Sequence, residues 1–291
     1  MTPALGFGIR ILDRYPTEIV TSIHNVHIKR ARSLLRRKGR AEERAFLVEG
    51  LRAVVDMFEA GVTPTILYVR NVPDDRALID HLDVRCPVRL VSPEVLASLS
   101  DVPHPQGFVA VVPIDAVSAE PRYDVWKRDF ILVADGVRDP GNLGTLLRTA
   151  AGAGVTEVVV TPNSVDPFNP KCVRSAMGAH FLVSLRQLSW DELSTYLTGM
   201  PLIAVADANG AASYDSVNWC DQCAIVVGSE AFGPNQAILD IATAYVRIPL
   251  ARNLESLNAG VAGSHVVLEA ARQRRLAATL QEQGFEQAPD D

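Results

Sequence analysis

Short apolar runs alternate along this chain with segments of helical period, and the alternation breaks once, between Pro113 and Asp129, where proline, serine and charge take over. Before the break, Ala45–Val48, Ile66–Val69, Val88–Val91 and Phe108–Val112 read as strands. Leu51–Ala60 reads as a helix closed by Gly61 and Ala77–Leu82 as helical, while Pro93–Leu99 has Ser92 at its cap and Pro93 in its first turn. After the break, Phe130–Ala134 is a continuous apolar run of the kind buried on both faces of a parallel sheet. Strand-like runs recur at Val158–Val160, Leu202–Ala206, Ala224–Val227 and Ala244–Ile248, with helical segments between several of them. The rhythm predicts an α/β protein of two domains, residues 23–113 and 130–280, joined by a linker over 114–129. Residues 1–22, with Pro3, Gly6, Gly8 and Pro16, predict an irregular or mobile arm, and 281–291 a frayed tail.

Composition narrows the class. Of 291 residues, 48% are hydrophobic and 21% charged, which is a globular balance. The start of the chain lacks a secretory pattern, and no apolar run approaches the roughly 20 residues a membrane helix needs, so a cytoplasmic protein without membrane contact is expected. Four cysteines are too few and too scattered for a disulfide scaffold. Cys220 and Cys223 form a lone CxxC without a second ligand pair, so no metal is expected there and the two read as small residues beside a strand.

Formal charge is −6, but its distribution is uneven. Between His27 and Arg52, nine basic residues face three acidic ones, which leaves +6 in that stretch and −12 on the remainder. Acidic partners at helical spacing are missing from Lys29 to Arg40, so Lys29, Arg32, Arg36, Arg37, Lys38 and Arg40 are expected to meet a polyanion, with a solvated helix face as the alternative.

Three stretches carry chemistry. In Asp135–Gly154 a strand gives way to a Pro-Gly turn, Asn142 stands where an N-cap belongs and Leu143–Ala153 supplies a helix. Arg148 is the odd member of that helix, six residues past the expected cap, and is predicted to lie within about 60° of the Asn142 side. In Ala224–Pro234 a buried-type strand empties into Gly228, Ser229, Glu230 and Gly233, where glycine lets a backbone approach a ligand at the carboxyl end of a sheet. Neither GxGxxG nor GxxxxGK[ST] is present, which excludes NAD or ATP through their usual loops and leaves a nucleotide-like ligand. In Ile248–Asn258, Pro249 ends a strand, and Asn253, Glu255, Ser256 and Asn258 put short polar groups ahead of a closing helix.

In this order, DPGNLGTLLRTA, VVGSEAFGP and IPLARNLESLNAGVAGSHVVLEA resemble the motifs of the SpoU (TrmH-like) branch of the SPOUT superfamily of knotted RNA methyltransferases. The resemblance runs from about His24 to Arg275, and KGRAEERAFLVEGLRAV with HPQGFVAVV resembles the family's L30e-like substrate-binding domain. It implies a C-terminal α/β knot, a trefoil-knotted parallel sheet, behind a smaller N-terminal L30e-like α/β domain. The implied activity is 2′-O-methylation of a ribose in rRNA or tRNA, rRNA being favoured, with S-adenosylmethionine as cofactor and a homodimer as the working form. A non-catalytic RNA-binding protein that kept the fold is the alternative. By resemblance, main chain around Gly228, Ile248 and Leu257, with Ala206 nearby, holds the adenosyl group. Arg148 is the implied catalytic residue, held by Asn142 and Glu230 with Ser256 and Asn258 completing the network, and Lys171 and Arg174 stand near substrate phosphates.

Overall fold

The computed structural model describes residues 18–79, 84–117, 129–229, 233–251 and 254–282. The chain divides into two compact units, Met1–Ala116 with Phe168–Pro170, and Val117–Pro167 with Lys171–Asp291.

The first unit opens with α1 (Val26–Ser33) and α2 (Arg37–Glu43), then β1 (Ala45–Glu49), α3 (Leu51–Glu59), β2 (Ile66–Arg70), α4 (Pro73–Ile79), β3 (Val88–Val91), α5 (Pro93–Ala97) and β4 (Phe108–Pro113). Asn25 starts α1 by accepting from the His27 amide, and Ser92 does the same for α5 through the Val95 amide. The four strands form a mixed sheet in the order β1-β4-β2-β3, with β4 antiparallel to both neighbours and β2 parallel to β3. Ile28 and Leu34 pack on the sheet with Tyr68, Val91 and Val109. Two expectations change. The helix expected at Ala77–Leu82 begins earlier, at Pro73, because proline at the first position and acids in the first turn start helices; residues 80–83 lie outside the described set. Of the expected arm, residues 1–17 lie outside the described set, whereas Val20 pairs with the edge strand β3, its amide donating to Leu90 O at 2.9 Å. An edge strand has unpaired backbone groups, and Val20 satisfies some of them.

The second unit holds β5 (Phe130–Asp135), α6 (Pro140–Ala153), β6 (Glu157–Val160), α7 (Pro170–Ala176), β7 (Ser184–Gln187), α8 (Trp190–Tyr196), β8 (Leu202–Ala206), β9 (Ala212–Ser213), β10 (Cys223–Gly228), α9 (Gln236–Leu239), β11 (Ala244–Arg247) and α10 (Ala259–Glu282). Its sheet runs β7-β6-β5-β10-β8-β11-β9, and every pairing is parallel. All six residues of β5 are buried, as its unbroken apolar run requires. Sequence reading missed β7 and β9, which are the two edges; SLRQ and a two-residue bridge carry no apolar run because an edge has less to bury. Helix α10 packs along α6, where Leu146 and Leu147 are fully buried, each worth about 1.5–3 kcal/mol relative to exposure. Among the described residues no helix is long and apolar enough to cross a membrane.

Candidate active site

At the carboxyl ends of β8, β10 and β11 lies a cavity of about 250 Å³. All four residues expected to hold the adenosyl group, Ala206, Gly228, Ile248 and Leu257, line it, and so does Ser256. At Gly228 the chain packs closely on itself. A Cβ there would lie 2.6 Å from Pro234 N and 2.8 Å from Gly233 C, so only glycine lets the loop after β10 fold back this closely. The fold-back is held by the Gly233 amide, which donates to Ser229 O at 2.9 Å. Glu230, expected to join the catalytic group, lies outside the described residues. The lining is main chain and small apolar side chains, which suits a flat heteroaromatic group read through amides and carbonyls. Asp207 is the one carboxylate among the described lining residues, and sequence reading missed it. Its signal was position: a single acid directly after a strand of a parallel sheet, at the end where such sheets bind ligands.

The first and third motifs meet beside this cavity. Asn258, between the lining residues Leu257 and Ala259, donates from Nδ2 to Asn142 Oδ1 at 2.9 Å. Its own Oδ1 accepts from the Val261 amide at 3.2 Å, so Asn258 caps α10 while tying it to α6. The cap of α6 is Asp139 and not Asn142: the Asp139 carboxylate accepts the Asn142 amide at 2.9 Å, and Pro140 fills the first helical position. That amide, ahead of the Lys171 ammonium, holds the Asp139 carboxyl below its usual range.

The expected alignment of Arg148 with Asn142 fails. Six residues at 100° each come to 600°, which is 120° short of two turns, so the side chains leave α6 in different directions. Arg148 is exposed, and its Nη1 donates to Met177 Sδ at 3.0 Å. Met177 holds φ of 46° beside Gly178 at 82°, two successive left-handed residues at the end of α7. Such backbone is uncommon for a methionine and clusters at functional sites.

Lys171 and Arg174 both stand on α7, Lys171 with its Nζ 3.4 Å from Asp139 Oδ2 and Arg174 half-buried. Burial pushes the Cys86 and Cys172 thiols up to about 11 and about 12, which keeps both protonated and poor nucleophiles at neutral pH.

In the first unit, Lys29, Arg32, Arg36 and Lys38 line a groove of about 480 Å³ with Glu42, and Arg37 is exposed at the start of α2. Arg40 does not join them. It is 3% exposed and donates to Leu34 O at 2.8 Å, so its guanidinium satisfies a carbonyl after α1 in place of a phosphate. The expected lack of acidic partners is also corrected, since Lys38 reaches Glu42 at 3.7 Å and Arg30 reaches Glu43 at 2.5 Å, both acids standing just past the window first considered.

Comparison with known proteins agrees with this geometry. Residues 129–268 match the SpoU rRNA Methylase family, and residues 25–110 match the MRM3-like substrate binding domain. The chain is 32% identical to an uncharacterized tRNA/rRNA methyltransferase of Synechocystis, over 89% of this chain and 96% of that one. It is 30% identical to the 23S rRNA (guanosine(2553)-2'-O)-methyltransferase RlmP of Bacillus subtilis, over 85% of this chain and 97% of the relative. Among solved structures, the SpoU methyltransferase AviRb of Streptomyces viridochromogenes in complex with AdoMet superposes with a TM-score of 0.75 at 26% identity, covering 87% of this chain and all of that one. A cavity lined by residues the motifs singled out, within a relationship to RlmP over 85% of this chain and 97% of that one, leaves one assignment: the chain belongs to the SpoU rRNA methylase family.

Proposed function

We infer that the protein is an S-adenosylmethionine-dependent RNA methyltransferase that modifies a ribose 2′-hydroxyl of rRNA. The observation that carries this reading is the Asn258–Asn142 bond, which fixes two distant motifs against one another at a cavity already lined by the residues expected to hold adenosine. When bound, S-adenosylmethionine supplies a methyl group activated by a sulfonium. The chain's own residues must then hold the ribose oxygen in line and ease the loss of its weakly acidic proton. Ala206, Gly228, Ile248 and Leu257 would hold the cofactor, and Gly228 lets the backbone of Gly233 and Pro234 close in as one side of the cavity.

Arg148 is assigned as a hydrogen-bond donor to the developing alkoxide and a flanking phosphate rather than as a base, because a guanidinium keeps its proton and has no acceptor to offer. Asn142 and Asn258 then act as positioning residues that keep the start of α10 still, with Ser256 facing the cofactor and Glu230 as a further candidate. Lys171, Arg174 and the groove of Lys29, Arg32, Arg36 and Lys38, with Arg37 beside it, are the proposed phosphate contacts. Residues 23–113 serve the RNA and 130–280 the reaction in this reading. A trefoil knot, a homodimer, independence from metal and a cytoplasmic location belong to the same proposal, and four exposed apolar side chains on the outer side of α10, Val261, Leu268, Leu276 and Leu280, support the dimer.

Transfer of tritiated methyl from the cofactor to total RNA, followed by alkaline hydrolysis, tests the reaction. Label in alkali-resistant dinucleotides of rRNA is expected, since a 2′-O-methyl group blocks cleavage at that ribose. Label confined to mononucleotides would place the methyl on a base and sink the 2′-hydroxyl assignment.

A further inference from the structure

A second cavity, of about 310 Å³, opens on the far side of the fold-back after β10. Ser229, Gly233 and Pro234 line both cavities, so the two share a wall. On this side the lining is different. Pro162 and Trp190 supply apolar ring surface, and Arg138, Asn163 and Gln236 supply exposed polar groups at the rim.

Asp135 is built into the floor. It is 2% exposed, at the last position of β5. Its Oδ1 accepts from the Thr161 hydroxyl and from Trp190 Nε1, the latter at 2.9 Å, and its Oδ2 accepts the Asn235 amide at 2.5 Å. A buried carboxylate with three donors fixes the groups around it, so Trp190 is held in one orientation and α9 starts at a set place. Asn163 holds φ of 66°, a left-handed conformation that asparagine tolerates better than most residues. No step of methyl transfer described above uses any of these groups.

We propose that this second cavity takes an unpaired base of the RNA substrate. The inference rests on the methyl-transfer reading, because a ribose whose oxygen meets the methyl group must bring its own or a neighbouring base to the rim of the cofactor cavity. Unstacked bases are recognised by an aromatic or apolar face together with amide and guanidinium groups on their edges, and Trp190, Arg138, Asn163 and Gln236 provide that set. Arg138 is the one cation among the described lining residues, which favours a neutral base edge over a row of phosphates.

The test uses the full chain with Arg138→Met and Asn163→Gly combined; glycine keeps the left-handed backbone at 163 without strain. Methyl transfer to total RNA should fall about tenfold in kcat/KM, the order of one lost base contact, while calorimetry gives an unchanged Kd for S-adenosylmethionine. In the wild type, at least one of AMP, GMP, CMP and UMP at millimolar concentration should quench tryptophan fluorescence, total RNA should displace the same nucleotide in radiolabelled form in equilibrium dialysis, and the variant should show no quenching. Equal quenching in both proteins, or kcat/KM in the variant at the wild-type level, overturns the proposal. A nucleotide that RNA cannot displace assigns the cavity to a free nucleotide and overturns it as well. If the wild type methylates no RNA but RNA still displaces the nucleotide and quenching is lost in the variant, the base site stands and the assigned reaction falls.

Discussion

Arg148 donates to a thioether, one of the weakest acceptors a protein offers, and that choice has a use. A guanidinium bonded to sulfur forfeits little when it moves to an oxyanion, where a charge-assisted bond is roughly twice as strong as a neutral one. Arg148→Lys keeps the charge and removes the planar fork, so kcat should fall by about 10²- to 10³-fold with cofactor binding unchanged, the size seen when one donor to a developing oxyanion is lost. Single-turnover methyl transfer measures it, and a near wild-type rate would mean that the fork is not needed. His180 yields a different prediction. It is fully buried with Nε2 2.8 Å from Pro167 O, and burial lowers its pKa from an ordinary 6.5 to about 4. Between those two values the unfolded chain binds a proton that the folded one refuses, so stability is intact above pH 6.5 and is lost as pH falls toward 4, by about 3 kcal/mol in the limit. Urea midpoints at pH 7 and pH 5 should differ in wild type and converge in His180→Gln; an equal pH slope in the variant would remove His180 as the cause.

Helices α6 and α10 form the seam on which the site stands, and their approach is set by a small residue. A Cβ at Gly263 would lie 2.6 Å from Leu146 Cδ2 and 2.6 Å from Val227 Cγ2, both in the core. Gly263→Ala should therefore cost about 1–3 kcal/mol through overpacking, despite the better helix propensity of alanine, and lower Tm by a few degrees in a calorimetric scan. An unchanged or raised Tm would show that the seam relaxes freely. Much of this seam was legible in the sequence. FILVA announced β5 because a strand buried on both faces must be apolar throughout, and IPLARNLESLN announced a capped helix because α10 needs partners for its first amides. Of the residues lining the cavity proposed for the cofactor, Gly228, Ile248 and Leu257 were singled out through the motifs they sit in and Ala206 as their neighbour. What was not legible depends on direction. Charge counting placed Arg40 with its neighbours, yet a side chain's position is decided by the turn between α1 and α2, which buries it. Asp139 was passed over as the cap of α6 although Asp-Pro is a start signal, because Asn142 is an equally good capping type and spacing alone does not choose between them. Base recognition was invisible for a further reason: Asp135, Asn163, Trp190 and Asn235 come from four separate elements or loops, and only the parallel sheet collects them.

For the whole molecule, the uneven charge and the surface of α10 make separate claims. Lys29, Arg32, Arg36 and Lys38 share one groove within a chain of net charge −6, so RNA is attracted locally and repelled elsewhere. Neutralising Arg36, Arg37 and Lys38 together should lower the salt slope of RNA binding by about 2, at 0.7–0.9 per phosphate contact; an unchanged slope returns the groove to solvent. Helix α10 bears on assembly. Its inward side buries Val267, Ala270 and Arg274, while Val261, Leu268, Leu276 and Leu280 are 45–53% exposed. At 100° per residue those four fall in a sector of about 120° turned away from the buried side, which they share with the exposed His265, Arg272 and Thr279, so the outer side of α10 mixes apolar and polar side chains. A second copy of the same helix, meeting it about a two-fold axis, would cover these four exposed apolar side chains. The homodimer proposed above therefore predicts twice 31.5 kDa in sedimentation equilibrium at micromolar concentration. Leu268→Glu with Leu276→Glu should yield a monomer that keeps its helical circular dichroism, because neither side chain supports the inward packing. Methyl transfer should fall with the dimer if the paired subunits hold the RNA together. A wild-type mass of 31.5 kDa would remove the second copy from this reading.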